Sequence, residues 1–280
     1  MTTSSCSKDK ELDEQVWLKT KDELGRKWIR GPFTEKQLKE ELGPLYVVSR
    51  RFGIWQKGSA RVIDDLSESL VNACFGTSES IDLGGLDELM VLSRTLLQVV
   101  GDDRSVKVTL ESGEVLEGML HPSLSLEEAR DLVGRTLDLK SAYKQLLVSR
   151  ASSWASVLRV HNTEKGIDEL YVTEVLPFGA SAAVFLFNRF ARAICRIGIR
   201  IFGLLWTNFF DDYPQVDLKA MGDNSMHTAE RLMRLLGWAI SEGEDKRKHF
   251  AKSFEALGAV VDLTRSKEGA VEVKNKPSRV

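Results

Sequence analysis

The sequence predicts an α+β fold in which an antiparallel sheet carries helices packed on one face. Two observations lead there: extended segments come in pairs with helical segments interposed, and no repeated βαβ unit with a glycine-rich phosphate loop breaks that order. A third bounds the size. At 280 residues the chain is long enough for one large domain or two small ones, and long enough to bury a real core.

The elements follow in chain order. After a polar stretch, Thr34-Glu35-Lys36-Gln37 with Leu38 and Leu42 forms a capping box that opens a short helix, closed by Gly43-Pro44. Leu45 to Trp55 and Arg61 to Leu66 are extended, with Lys57-Gly58-Ser59 as the turn between them. From Leu86 to Val100 the residues Leu86, Leu89, Met90, Leu96, Leu97 and Val100 recur at helical spacing. Val106 to Leu110 and Glu114 to Met119 form a hairpin around Glu111-Ser112-Gly113, and Ser125 with Glu128 makes a second capping box for a helix ending at Gly134. The second half reads as a strand (Thr136 to Leu139), a short helix (Ser141 to Leu147) and two strands around the Asn162 to Gly166 turn. A long amphipathic helix then runs from Ser181 to about Gly198, two strands flank Asp211-Asp212, a helix spans roughly Ser225 to Gly237, and a last strand lies near Ala256 to Asp262.

Composition excludes several classes. The chain is 42% hydrophobic and 29% charged, as soluble globular proteins are, and no apolar run approaches the roughly 20 residues that cross a bilayer. Cys6, Cys74 and Cys195 are too scattered for a disulfide framework or a Cys-x-x-Cys metal pair. Met1 to Glu14 is polar where a secretory signal needs an apolar stretch, so the expectation is an intracellular chain, in nucleus or cytoplasm. Charge is uneven: residues 1–60 carry 12 Lys/Arg and 9 Asp/Glu, residues 61–135 carry 6 and 15, and residues 136–280 carry 21 and 17. With a net charge of −2, any basic footprint for nucleic acid must be local.

Three Asp-Asp pairs occur, and context separates them. Asp102-Asp103 lies beside Gly101 and Arg104 in a loop, and Asp64-Asp65 ends an extended run; both read as structural. Asp211-Asp212 follows an apolar run and Phe209-Phe210. Two adjacent carboxylates at the tip of a buried hairpin repel each other and call for a cation, for which magnesium, with its preference for hard oxygen ligands, is the natural candidate. A third carboxylate would help hold two such ions about 4 Å apart. Asp138, facing away from its neighbours Leu137 and Leu139 on an alternating strand, fits that need; alone it reads rather as a strand-edge residue exposed to water.

In order, these segments resemble the reverse transcriptase family, retroelement type, over about Arg50 to Asp262. Asp138-Leu139-Lys140-Ser141-Ala142-Tyr143 is similar to the first palm motif, Leu176-Pro177-Phe178-Gly179 with the helix through Phe187 to the second, and Phe209-Phe210-Asp211-Asp212 to the third. Arg61 to Ser67 resembles the fingers strand that opens with a triphosphate-binding basic residue. Leu236-Gly237-Trp238 with Lys246-Arg247-Lys248, then Ala256-Leu257-Gly258, resembles the two short motifs that close the palm.

The resemblance implies a polymerase palm plus fingers and two-metal phosphoryl transfer. Asp138, Asp211 and Asp212 would hold Mg2+ (or Mn2+), with the Leu139 carbonyl as a further ligand; Arg61 would bind the β and γ phosphates. Phe178 and Gly179 would lie against the incoming base pair, Tyr143 would exclude a ribose 2′-hydroxyl and so select deoxynucleotides, and Lys246 or Lys248 would protonate the leaving pyrophosphate. The partners implied are an RNA or DNA template with its primer and deoxynucleoside triphosphates, with no membrane. The organisation expected is a polar, helical N-terminal extension (1–44), a fingers-like region with an acidic insertion (45–134), a palm (135–262) and a polar tail (263–280), with the thumb absent or vestigial.

Arg189, Arg192, Arg196 and Arg200 recur on the helix after the second motif, with Phe187, Phe190, Ile194, Ile197 and Ile201 on its other face and no acidic residue between Ala180 and Thr207. A solvated charged face and a phosphate-tracking stripe both account for this. Departures from the family pattern, chiefly the short tail and the acidic stretch from Asp82 to Gly134, keep two alternatives open: a catalytically inert, nucleic-acid-binding remnant of a retroelement, and an RNA-directed RNA polymerase.

Overall fold

The fold was analysed in a computed structural model that describes residues 6–7, 9–81, 83–241 and 248–276. It is mixed α+β. In chain order it carries α1 (Lys10–Gly25), β1 (Ile29–Phe33), α2 (Glu35–Leu42), β2 (Val48–Gln56), β3 (Ser59–Asp65), α3 (Val71–Cys74), α4 (Leu86–Gln98), β4 (Ser105–Thr109), β5 (Val115–Met119), α5 (Leu126–Ala129) and β6 (Leu132–Asp138). There follow β7 (Val157–Asn162), β8 (Ile167–Thr173), α6 (Ser181–Phe202), β9 (Asp212–Leu218), α7 (Gly222–Leu235), β10 (Ser253–Ala256), β11 (Ala259–Asp262) and β12 (Glu272–Asn275). Two compact units take the chain in turn: Met1–Ile81 with Ser141–Asn188, and Asp82–Lys140 with Arg189–Val280. No described helix is long and apolar enough to cross a membrane.

The first unit is built on a five-stranded sheet of order β1-β8-β7-β2-β3, antiparallel except where β2 runs parallel to β7. Lys57 and Gly58, with φ of +51° and +77°, make the two-residue turn of the β2–β3 hairpin; positive φ at both positions matches the strand twist. α1, whose first residues the polar N-terminal sequence concealed, buries Leu12, Val16 and Trp17 together with the polar Asp13 and Thr20, so no broad apolar stripe announces it. It lies so close to β2 that a Cβ on Gly53 would stand 2.6 Å from Val16 Cγ2. Buried Arg51 ties the helix to the hairpin, donating to Asp64 Oδ1 at 2.7 Å and to Glu23 Oε2 at 2.8 Å. Asp64 is thereby a structural residue.

In the second unit β6 and β9 form an antiparallel ladder from Leu132↔Leu218 to Asp138↔Asp212. Leu89 and Leu97 of α4 pack with Leu132, Val216, Phe254, Val261 and Leu263. The helix expected to reach Gly134 stops at Ala129, because the residues after it, Leu132 to Leu137, are buried on both sides and go into the ladder. The helix expected over Ser141–Leu147 is a 3₁₀ turn, Ala142–Gln145. Before Asp211 the backbone makes only single bridges, at Trp206 and Phe209, in place of the first flanking strand. The expected polar tail contributes β12, which pairs with β11; its alternating Glu272-Val273-Lys274 is the pattern of an exposed edge strand.

The face of α6 also differs from expectation. Phe187, Ala191, Ile194 and Cys195 are buried, whereas Phe190 and Ile201 are exposed. The buried stripe is narrow and made partly of small residues because the chain comes close: a Cβ on Gly198 would stand 2.2 Å from Trp206 Cζ2, and the Trp206 indole N–H donates to the Cys195 carbonyl at 3.0 Å. Gly198→Ala is expected to cost about 1–3 kcal/mol through this overlap. Thermal unfolding checks it; an unchanged midpoint would mean that the indole moves aside freely.

Candidate active site

The three aspartates singled out by sequence meet at one end of the β6–β9 ladder. Asp138 is the last residue of β6 and Asp212 the first of β9, and the register sets them directly opposite. Residues so paired present their side chains to the same face of the ladder. Asp211 sits in the tight turn just before it, closed by Phe209 N–H to Asp212 O (2.9 Å) and Asp212 N–H to Phe209 O (3.1 Å). Phe210 takes a φ of +52°, a strained conformation for a bulky side chain, and its ring meets Phe209 edge-on at 4.9 Å.

Electrostatics follow from this crowding. Burial raises the Asp211 pKa and the neighbouring Asp138 charge raises it further, against a lowering backbone hydrogen bond. Burial, then Asp211 and Asp138, push Asp212 up to about 6, with Lys248 and Lys276 opposing them. Among the described residues none of the three carboxylates forms an ion pair. Asp138 Oδ2 accepts a hydrogen bond from Ser241 Oγ at 2.9 Å. Hard oxygens carrying unpaired negative charge are the donor set that magnesium or manganese takes. They are not gathered into a finished cage: among the described residues no three His, Cys, Asp or Glu side chains stand together as a metal site.

A pH dependence follows. With its folded pKa above the ordinary carboxylate value near 4, Asp212 contributes stability that is complete below about pH 4 and lost as pH rises through about 6. In chelator, the thermal midpoint of Asp212→Asn should gain on wild type across that interval; parallel pH profiles would contradict the burial of this charge.

The residues expected to recognise nucleotide form a cluster within the first unit. The Arg61 guanidinium carbon lies 5.1 Å from the centre of the Phe178 ring, and Arg61 Nη1 donates to Gln56 Oε1 at 3.0 Å. Tyr143 meets Phe178 edge-on at 5.8 Å and stacks on buried Phe187 at 4.6 Å. Phe178 is 50% exposed. Gly179 has a φ of +99°, which requires glycine in this turn.

Of the remaining expected residues, Leu139 is buried and bridges to Ile240, Lys248 opposes the Asp212 charge, and Lys246 lies outside the described residues. Arg189, Arg196 and Arg200 are exposed on α6 and Arg192 is half-buried. Sequence reasoning missed Ser241 and Asn72, since a single small polar residue carries no spacing signal.

No protein-family profile matches the chain, and no curated protein matches it. Among solved structures, a foamy viral protease-reverse transcriptase in complex with double-stranded DNA is similar over 94% of this chain, with a TM-score of 0.60 and 11% sequence identity. This chain spans 37% of the length of that one. At this identity the likeness defines the fold: the chain has a reverse-transcriptase-like fold with the α+β architecture of a polymerase palm.

Proposed function

We propose that the chain is an RNA-directed DNA polymerase domain of retroelement type, adding deoxynucleotides to a primer 3′-hydroxyl on an RNA or DNA template. The observation that carries this reading is the register that sets Asp138 opposite Asp212 beside the Asp211 turn, where the Asp138 charge raises the proton affinity of Asp211 and both raise that of Asp212. Magnesium, held by Asp138, Asp211 and Asp212 with the Leu139 carbonyl, would lower the pKa of the 3′-hydroxyl and stabilise charge on the departing pyrophosphate.

The chain's own residues do the rest. Arg61 offers a planar fork to the β and γ phosphates, and its contact with Phe178 keeps that fork beside a ring suited to stacking on a base. Gly179 lets the backbone approach the base pair, and Tyr143, braced by Phe187, excludes a 2′-hydroxyl. Lys248 is the described candidate for protonating the leaving group. The arginines of α6 suit a phosphate backbone.

A second reading, an inert nucleic-acid-binding remnant, is favoured by one observation: Ser241 Oγ donates to Asp138 Oδ2 and so engages an oxygen that a metal ion would use. Primer extension separates them. The purified chain with magnesium or manganese should extend a DNA primer on an RNA template with deoxynucleotides. Duplex binding without extension supports the remnant, and ribonucleotides incorporated at a comparable rate indicate an RNA polymerase and remove Tyr143 from its role.

A further inference from the structure

The turn that carries Phe178 and Gly179 is held from outside its own segment. Asn72, in α3, donates from Nδ2 to the Gly179 carbonyl at 3.1 Å and to Ser67 Oγ at 3.2 Å, and its Oδ1 accepts from the Ser181 backbone N–H at 2.9 Å. One side-chain amide thus serves both ends of the turn. The Ser181 N–H is among the first donors of α6, which a helix leaves without an internal partner. Reversing the amide would set donor against donor and oxygen against oxygen, so the two contacts together fix its orientation.

Asn72 is itself anchored. Its backbone N–H donates to the Leu66 carbonyl at 3.0 Å, and the adjacent Val71 is buried with Leu66, Leu176, Ala180 and Ala183. The tether therefore runs from a packed core to the backbone beside a half-exposed ring that touches Arg61 and Tyr143. Loss of the tether frees a turn whose glycine has the widest conformational choice of any residue.

We propose that Asn72 is a positioning residue for nucleotide recognition: by holding Gly179 and Ser181 it keeps Phe178 against Arg61 and Tyr143, and so sets affinity for the incoming deoxynucleoside triphosphate without entering the chemistry. This rests on the polymerase reading above. The test compares wild type, Asn72→Ala and Asn72→Asp in single-nucleotide primer extension. In parallel, calorimetry reads deoxyadenosine triphosphate binding to a dideoxy-terminated primer–template complex, and hydrogen exchange reads the Ser181 amide. Aspartate keeps the acceptor at the α6 N-terminus, where negative charge is favourable, and removes the amide that donates to Gly179 and Ser67; alanine removes donor and acceptor alike.

Both variants should raise KM for the deoxynucleotide about tenfold with kcat changed less than about threefold, while Ser181 exchange quickens in Asn72→Ala and not in Asn72→Asp. Unchanged KM and triphosphate affinity in both variants, or a fall in kcat with KM intact, overturns the proposal. If wild type extends no primer yet binds the triphosphate, and the variants bind about tenfold more weakly, the positioning role stands and the polymerase reading falls. A wild type that binds no triphosphate overturns both.

Discussion

Asp211→Asn should abolish primer extension, by about a thousandfold or more, without lowering the thermal midpoint. Asparagine keeps the shape of the side chain and removes the charge, so the comparison isolates electrostatics from packing. Because burial and the Asp138 charge already raise the Asp211 pKa, its ionised form is an expense to the fold, and neutralising it should leave stability equal or slightly higher. On the proposed polymerase reading the transition state would lose what the fold gains: an anionic oxygen for a divalent cation is worth several kcal/mol where charge builds on phosphate, which sets the thousandfold scale. Labelled-primer extension and calorimetric unfolding of the same preparation give the two halves of the result. A variant as active as wild type would remove Asp211 from the chemistry.

Glu230→Ala should destabilise the protein by about 3–5 kcal/mol, and replacing its partner as well should recover most of that loss. Arg135 on β6 and Glu230 on α7 are each 2% exposed, with Nη1 to Oε1 at 3.2 Å. The guanidinium also donates to Gln215 Oε1 at 2.5 Å and to the Lys248 and Met226 carbonyls at 3.4 and 3.5 Å, and it lies 5.4 Å from the centre of the Phe250 ring. Arginine stays charged, so truncating Glu230 removes a carboxylate that balances a buried cation. Arg135→Met with Glu230→Met puts unbranched apolar chains in that space and should lie within about 2 kcal/mol of wild type. Urea unfolding of the two single variants and the double variant measures the coupling. A near-neutral Glu230→Ala would show that water reaches the guanidinium. Arg135 shares its strand with Asp138, so the polar network steadies the ladder that carries the carboxylates.

What was legible in the sequence divides along physical lines. Capping boxes at Thr34 and Ser125 were readable because both partners of each box lie in one short segment, and both form. Asp138 stood out between two leucines that are indeed buried, and Asp211 between aromatics and a tyrosine. Their register was beyond reach, since it depends on strands far apart in the chain. Arg135 gave no warning: a charged residue inside a buried strand looks like an exposed one until its partners on α7 and β9 are known. Asn72 was hidden for the same reason, its role resting on two backbone groups supplied by a distant turn. On α6 a broad apolar face was the natural reading, and it failed at Phe190 and Ile201 because close approach at Gly198 narrows the buried stripe.

The alternating course of the chain through its two units has a consequence during synthesis. β1, β2 and β3 leave the ribosome before α4, β4, β5, α5 and β6, yet the strands that complete their sheet, β7 and β8, come only afterwards. At about 5–20 residues per second, nascent β2 waits on the order of ten seconds for its parallel neighbour. Throughout that delay its backbone is a bare edge, open to strangers. Cleaving the gene at its midpoint would yield two polypeptides, neither holding all the strands of the five-stranded sheet.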